Sequence, residues 1–114
     1  QTADNDEQPK VEKKRDRKDV KRREAEFRQA TAGLRKTIQQ SEKQMERYSE
    51  QLADIEASLA EPQMYDAQNK SQLTDLLSKQ GQVKGALEEA EMEWMDATEQ
   101  LEQSKQALAR ELAD

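Results

Sequence analysis

The sequence predicts an all-α protein: a two-helix antiparallel coiled-coil hairpin with a basic N-terminal arm that is helical or disordered. Three observations predict it. Apolar residues make up 32% of the 114 residues, aromatics 4% and charged residues 39%. That is too little apolar material for a layered globular core, but it suits a long amphipathic helical pair. The apolar residues recur in alternating steps of three and four on both sides of one break, which is the spacing of a heptad seam. The break, Glu61-Pro62-Gln63-Met64-Tyr65-Asp66, contains a proline, and a proline disfavours helix in the residue before it.

Before the break the seam reads Leu34, Ile38, Ser41, Met45, Tyr48, Leu52, Ile55 and Leu59. After it the seam reads Leu73, Leu76, Gln80, Val83, Leu87, Ala90, Trp94, Ala97, Leu101, Ser104 and Leu108. Folding the second stripe back on the first sets Ile55 against Leu73, Leu52 against Leu76, and so on to Leu34 against Trp94. The register continues as Thr31 with Ala97, Phe27 with Leu101 and Val20 with Leu108. Large often faces small, with Leu34 against Trp94 an exception, which helps a two-helix seam interdigitate. Beside the seam, Glu42 falls opposite Lys84 and Arg35 opposite Glu91. Exposed pairs of this kind contribute roughly 0–1 kcal/mol each, so they select register more than they stabilise. Lys21 opposite Lys105 is a mismatch at the open end.

In chain order, residues 1–9 are polar, end at Pro9 and lack periodicity, as a disordered linker does. Residues 10–23 form the basic arm, with nine Lys or Arg against three acidic residues. Their helix propensity is high, but adjacent positive charges repel, so the arm is expected to gain helix when an anion neutralises it. The hairpin follows over 24–114, with a first helix at 24–60, a tip at 61–69 and a second helix at 70–112. Thr31-Ala32-Gly33 is the weak point of the first helix, because glycine costs about 1 kcal/mol against alanine in a helix interior. At the tip, Met64 and Tyr65 are expected to cover the end of the seam. Asn69, with Gln72 three residues on, reads as an N-cap in a capping-box arrangement.

Composition removes several classes of function. The chain has neither cysteine nor histidine, which excludes a disulfide framework, a Cys/His metal site, a cysteine nucleophile and a histidine base. There is no G-x-x-x-x-G-K-[ST] loop to cradle phosphates. We therefore expect no catalytic, cofactor-binding or metal site, and the chain by itself is not expected to be an enzyme. No run approaches the roughly 18 apolar residues of a membrane helix, and no signal-peptide pattern opens the chain, so a cytoplasmic protein without a membrane partner is expected. The chain starts at Gln1 rather than methionine, which leads us to expect a piece of a longer protein.

The net charge of −6 hides an asymmetry: residues 10–23 carry +6, while residues 24–114 carry −9. The arm is the main candidate site, through Lys10, Lys13, Lys14, Arg15, Arg17, Lys18, Lys21, Arg22 and Arg23, with Arg28 beyond it. Such a cluster neutralises nucleic-acid phosphates and releases counterions. Without interleaved aromatics it would contact backbone and not read bases. Tyr65 and Lys70 are candidate tip contacts, because loops tend to carry function. A basic-zipper transcription factor is a rival reading, since Val20, Phe27 and Leu34 recur at sevens. Asp16 and Asp19 in the arm, the proline break and the matching second stripe argue against it.

The segments LRKTIQQSEKQMERYSEQLADIEASL, EPQMYDAQNKSQL and EEAEMEWMDATEQLE resemble the C-terminal coiled-coil domain of ABC-F proteins, of the YheS type first and the Uup type next. The resemblance covers about residues 24–103, with Leu34, Ile38, Leu59, Tyr65, Leu87 and Trp94 as landmarks. Gly33 departs from the pattern, in which relatives often place a proline. The resemblance implies a parent ATPase whose upstream domains hold ATP and Mg²⁺ and which acts on the ribosome in translation. It implies a non-catalytic nucleic-acid- and ribosome-binding domain. The implied partners are ribosomal RNA, tRNA or DNA, the ribosome and the parent's own ATPase domains, with the chain a monomer or weak dimer. The alternative is a structural protein–protein coiled coil that packs on the parent ATPase domains or associates with itself.

Overall fold

The computed structural model describes residues 17–113, and every regular element among them is helical. Helix α1 occupies residues 17–30. Helix α2 is Ala32–Leu59 and helix α3 is Lys70–Ala113. Two short 3₁₀ turns, Pro62–Tyr65 and Ala67–Asn69, join α2 to α3. The linker expected at 1–9 and arm residues 10–16 lie outside the described residues.

The structure corrects the expected single first helix: it is drawn as two, divided at Thr31. The backbone ladder nevertheless continues through the division, with Thr31 N–H donating to Phe27 O at 2.9 Å and Arg35 N–H donating to Thr31 O at 3.1 Å. The division lies two residues before Gly33, which sits inside α2 without a positive φ. Side-chain bonds gather at the division. The Thr31 hydroxyl donates to the Phe27 carbonyl at 2.7 Å, a back-bond of the kind that bends helices. Arg35 donates to the Thr31 hydroxyl, and its other terminal nitrogen donates to the Arg28 carbonyl at 2.7 Å.

The chain divides into two compact units. One is Lys36–Thr98; the other holds the described residues up to Arg35 and from Glu99 onward. In the Lys36–Thr98 unit, α2 contributes Ser41 and Ile55 to the core, the tip contributes Met64, and α3 contributes Val83, Ala90 and Ala97. In the other unit Thr31 is the buried residue. Every position of the expected seam from Val20 to Leu108 is buried or half-buried. The least exposed of them are Ser41 at 1%, with Thr31 and Ala90 at 2%. The reason is geometric: a seam between two helices encloses small side chains, while the ends of Leu, Tyr and Trp overhang it. The Ser41 hydroxyl and the Trp94 indole N–H are buried without a hydrogen-bond partner among the described residues.

At the tip Pro62 occupies the first position of its 3₁₀ turn, where its missing N–H costs nothing. Met64, 8% exposed, joins the core. Tyr65 does not: it is 61% exposed, and its hydroxyl donates to the Leu59 carbonyl at 2.7 Å. It thereby satisfies one of the carbonyls that the end of α2 leaves open. The expected N-cap at Asn69 is also corrected. Its side-chain amide donates to the Gln63 carbonyl at 2.8 Å and so ties the tip to itself.

Candidate nucleic-acid interface

The candidate interface begins on α1, a helix of strong formers with a half-buried apolar edge at Val20 and Phe27. Of the expected site, Lys10, Lys13, Lys14 and Arg15 lie outside the described residues. Arg17, Lys18, Lys21, Arg22, Arg23 and Arg28 are all on α1. At about 100° per residue, Arg17, Lys21 and Arg28 fall within one narrow face. All three are exposed, and none makes a side-chain hydrogen bond or ion pair among the described residues. Lys18 lies beside this face.

The other two arginines are engaged. Arg22 donates to Asp19 Oδ1 at 2.8 Å and lies 4.0 Å from Glu26 Oε1, both on its own helix. These are exposed pairs, so each contributes little, but they lower the charge that Arg22 offers to a ligand. Arg23 donates from Nη1 to the Glu111 carbonyl at 3.2 Å. That carbonyl lies in the last turn of α3, where acceptors are unsatisfied and the helix dipole favours a cation. The residue type alone marked Arg23 as a phosphate ligand; its geometry makes it a cap. The expected register sets residue 23 opposite residue 105, more than a turn short of that carbonyl, so the sequence carried no signal for this cap.

Beside Arg23 lies an open cleft of about 250 Å³ lined by Glu26, Phe27, Ala30, Ser104, Ala107, Leu108 and Glu111. Its presence places residues 23–30 of α1 next to residues 104–111 of α3, whereas the expected register sets residues 23–30 against 98–105. Of the flanking pairs, Glu42 with Lys84 does not form an ion pair, and the Arg35 guanidinium is held at Thr31 and Arg28. At the tip, Lys70 is exposed at the first residue of α3 and Tyr65 presents its ring to solvent. Among the described residues no helix is long and apolar enough to cross a membrane, and no cluster of three or more acidic residues is arranged to hold a metal ion.

These helices and the proline tip form an all-helical domain, with no strand among the described residues. The ABC transporter C-terminal domain family matches residues 29–99, and the chain belongs to that family. It is similar to the probable ATP-binding protein YheS of Escherichia coli (strain K12), with 47% identity over 87 residues, 76% of this chain and 14% of that protein. It is also similar to the probable ATP-binding protein YheS of Haemophilus influenzae, with 51% identity over 45 residues, 40% of this chain and 7% of that protein. Together these make the chain a C-terminal domain of the ABC-F type. It spans about a seventh of the length of the Escherichia coli relative. No solved structure matches it.

Proposed function

We propose that this chain is the non-catalytic, nucleic-acid- and ribosome-binding C-terminal domain of a cytoplasmic ABC-F ATPase that acts in translation. In this reading α2 and α3 form an antiparallel coiled-coil hairpin that gives reach. The basic arm contacts phosphate backbone, and ATP hydrolysis belongs to other domains of the longer protein. One observation carries it: Arg17, Lys21 and Arg28 line one exposed face of α1 with no carboxylate partner among the described residues. Charges left unpaired on a helix face are the footprint of phosphate contact. The Tyr65 ring and Lys70 offer a smaller second contact at the tip.

Fluorescence anisotropy with labelled duplex DNA and structured ribosomal RNA, at two or more salt concentrations, tests this. The full chain is compared with one beginning at Glu24 and with an Arg17→Gln/Lys21→Gln/Arg28→Gln variant. The expected result is binding that weakens steeply with salt. Its log–log salt slope should become shallower by about two to three in the triple variant, close to one unit for each phosphate that is no longer neutralised. Equal binding by all three proteins would reject the arm as the anchor.

A second reading has one observation in its favour: Arg22 and Arg23 are already engaged within the fold. The root of the arm would then be structural, and the hairpin would pack on the ATPase domains of the longer protein. Cross-links to those domains with no RNA contact in the assembled complex would favour it.

A further inference from the structure

The four methionines of the chain fall into two classes. Met92 and Met95 of α3 are 68% and 62% exposed. Met45 is half-buried on the seam, and Met64 is 8% exposed in the core. All four lie in the Lys36–Thr98 unit. At about 100° per residue, Met92 and Met95 each point about 100° or more away from the seam residues Ala90, Trp94 and Ala97. Their thioethers therefore stand in water, off the packed side of the helix. The chain contains no cysteine, so its sulfur chemistry is confined to these thioethers.

Exposure decides both how fast a thioether is oxidised and what the oxidation costs. An oxidant must reach a sulfur lone pair, and the product, a sulfoxide, is polar where the thioether was apolar. On Met64 the new oxygen would enter the core, where a polar group without a partner is destabilising. On Met45 it would enter the seam. On Met92 and Met95 it stays hydrated, and no packed contact between helices is lost. The sulfurs that are reached first are thus also the ones that change the fold least.

We infer that Met92 and Met95 form a reversible oxidation site, at which a hydroperoxide oxidises this chain first and leaves the fold intact. In each step a sulfur lone pair attacks the terminal oxygen of the hydroperoxide. The S–O bond forms and the O–O bond breaks. The departing oxygen takes up the proton of the transferred hydroxyl and leaves as water or an alcohol. Sulfur gives up two electrons and the peroxide gains them. A dithiol reductant reverses the change: two thiols become a disulfide, and the sulfoxide oxygen leaves as water. Under limiting peroxide the pair consumes oxidant that would otherwise reach Met45 and Met64. The site uses none of the residues proposed to meet nucleic acid, so either reading stands without the other.

The test treats the full chain with hydrogen peroxide at one equivalent per chain and samples it over time. Peptide mass mapping, with fragment ions that separate Met92 from Met95, reads the oxygen gained at each sulfur. The expected result is oxidation of Met92 and Met95 about tenfold faster than Met64, and faster than Met45. Helicity by circular dichroism should be unchanged when both carry oxygen. Methionine sulfoxide reductases for both epimers, with dithiothreitol as reductant, should remove the two oxygens. In Met92→Leu/Met95→Leu, the same dose should place more oxygen on Met45 and Met64 than in the native chain. Four results would overturn the inference. Met45 or Met64 could keep pace with the pair. Helicity could fall as the pair is oxidised. The reductases could leave the two sulfoxides in place. The leucine variant could leave oxidation of Met45 and Met64 unchanged.

Discussion

Ser41 and Thr31 are both almost completely buried, at 1% and 2% exposure, and both carry a hydroxyl. Their environments predict opposite signs. Ser41 Oγ has no partner among the described residues, and a buried polar atom without one costs roughly 1–3 kcal/mol. Ser41→Ala should therefore raise stability by about 1 kcal/mol in a urea titration, helped by alanine's better helix propensity. The Thr31 hydroxyl donates to Phe27 O and accepts from Arg35. Thr31→Val keeps the branched shape and removes both bonds, so stability should fall by about 1 kcal/mol. A loss on Ser41→Ala would mean that its hydroxyl is satisfied. The arm arginines divide in the same way. Residue type marked Arg17 and Arg23 alike, and geometry separates an unpaired cation from a cap on the last turn of α3.

Each helix shows which local rules its sequence obeys. The break in the first helix was legible to within two residues, because Thr31-Ala32-Gly33 was a visible weak point. What the sequence did not show is that the Thr31 hydroxyl and the Arg35 guanidinium bond to the backbone there, because those bonds depend on rotamers that a sequence does not display. The tip behaved similarly. Pro62 ended α2 as expected, whereas Asn69 turned to the Gln63 carbonyl and Tyr65 to the Leu59 carbonyl. Several acceptors compete for each polar side chain there, and the compact turn decides among them. Within α3, Gly81 and Gly85 weaken the helix without any steric need for glycine. Gly81→Ala and Gly85→Ala should each stabilise by about 0.5–1 kcal/mol, read as a higher thermal midpoint. A fall for either variant would show that the backbone there is already approached by something.

Across the molecule, the heptad stripe from Val20 to Leu108 is readable in the residue spacing alone, and each of its positions is shielded from water. Its core is thin. Leu34 and Leu87 are only half-buried, so Leu34→Ala or Leu87→Ala should cost about 2 kcal/mol, the low end of large-to-small substitutions. A urea titration showing no loss for either would reject this seam. The site was less legible than the fold. Nine cations in fourteen residues mark the arm as the candidate site, but do not show that Arg22 is paired within α1 or that Arg23 is held by Glu111.

The sequence by itself determined the helices, the face each one buries and the charge asymmetry, because helical periodicity and charge are written residue by residue. The tertiary structure decided which polar groups are satisfied, where the first helix divides and which arginines remain available to a ligand. It also left Leu77, Met92 and Met95 of α3 exposed. These outcomes depend on which acceptors and neighbours come within about 3 Å of a side chain, and that is settled only when the elements pack.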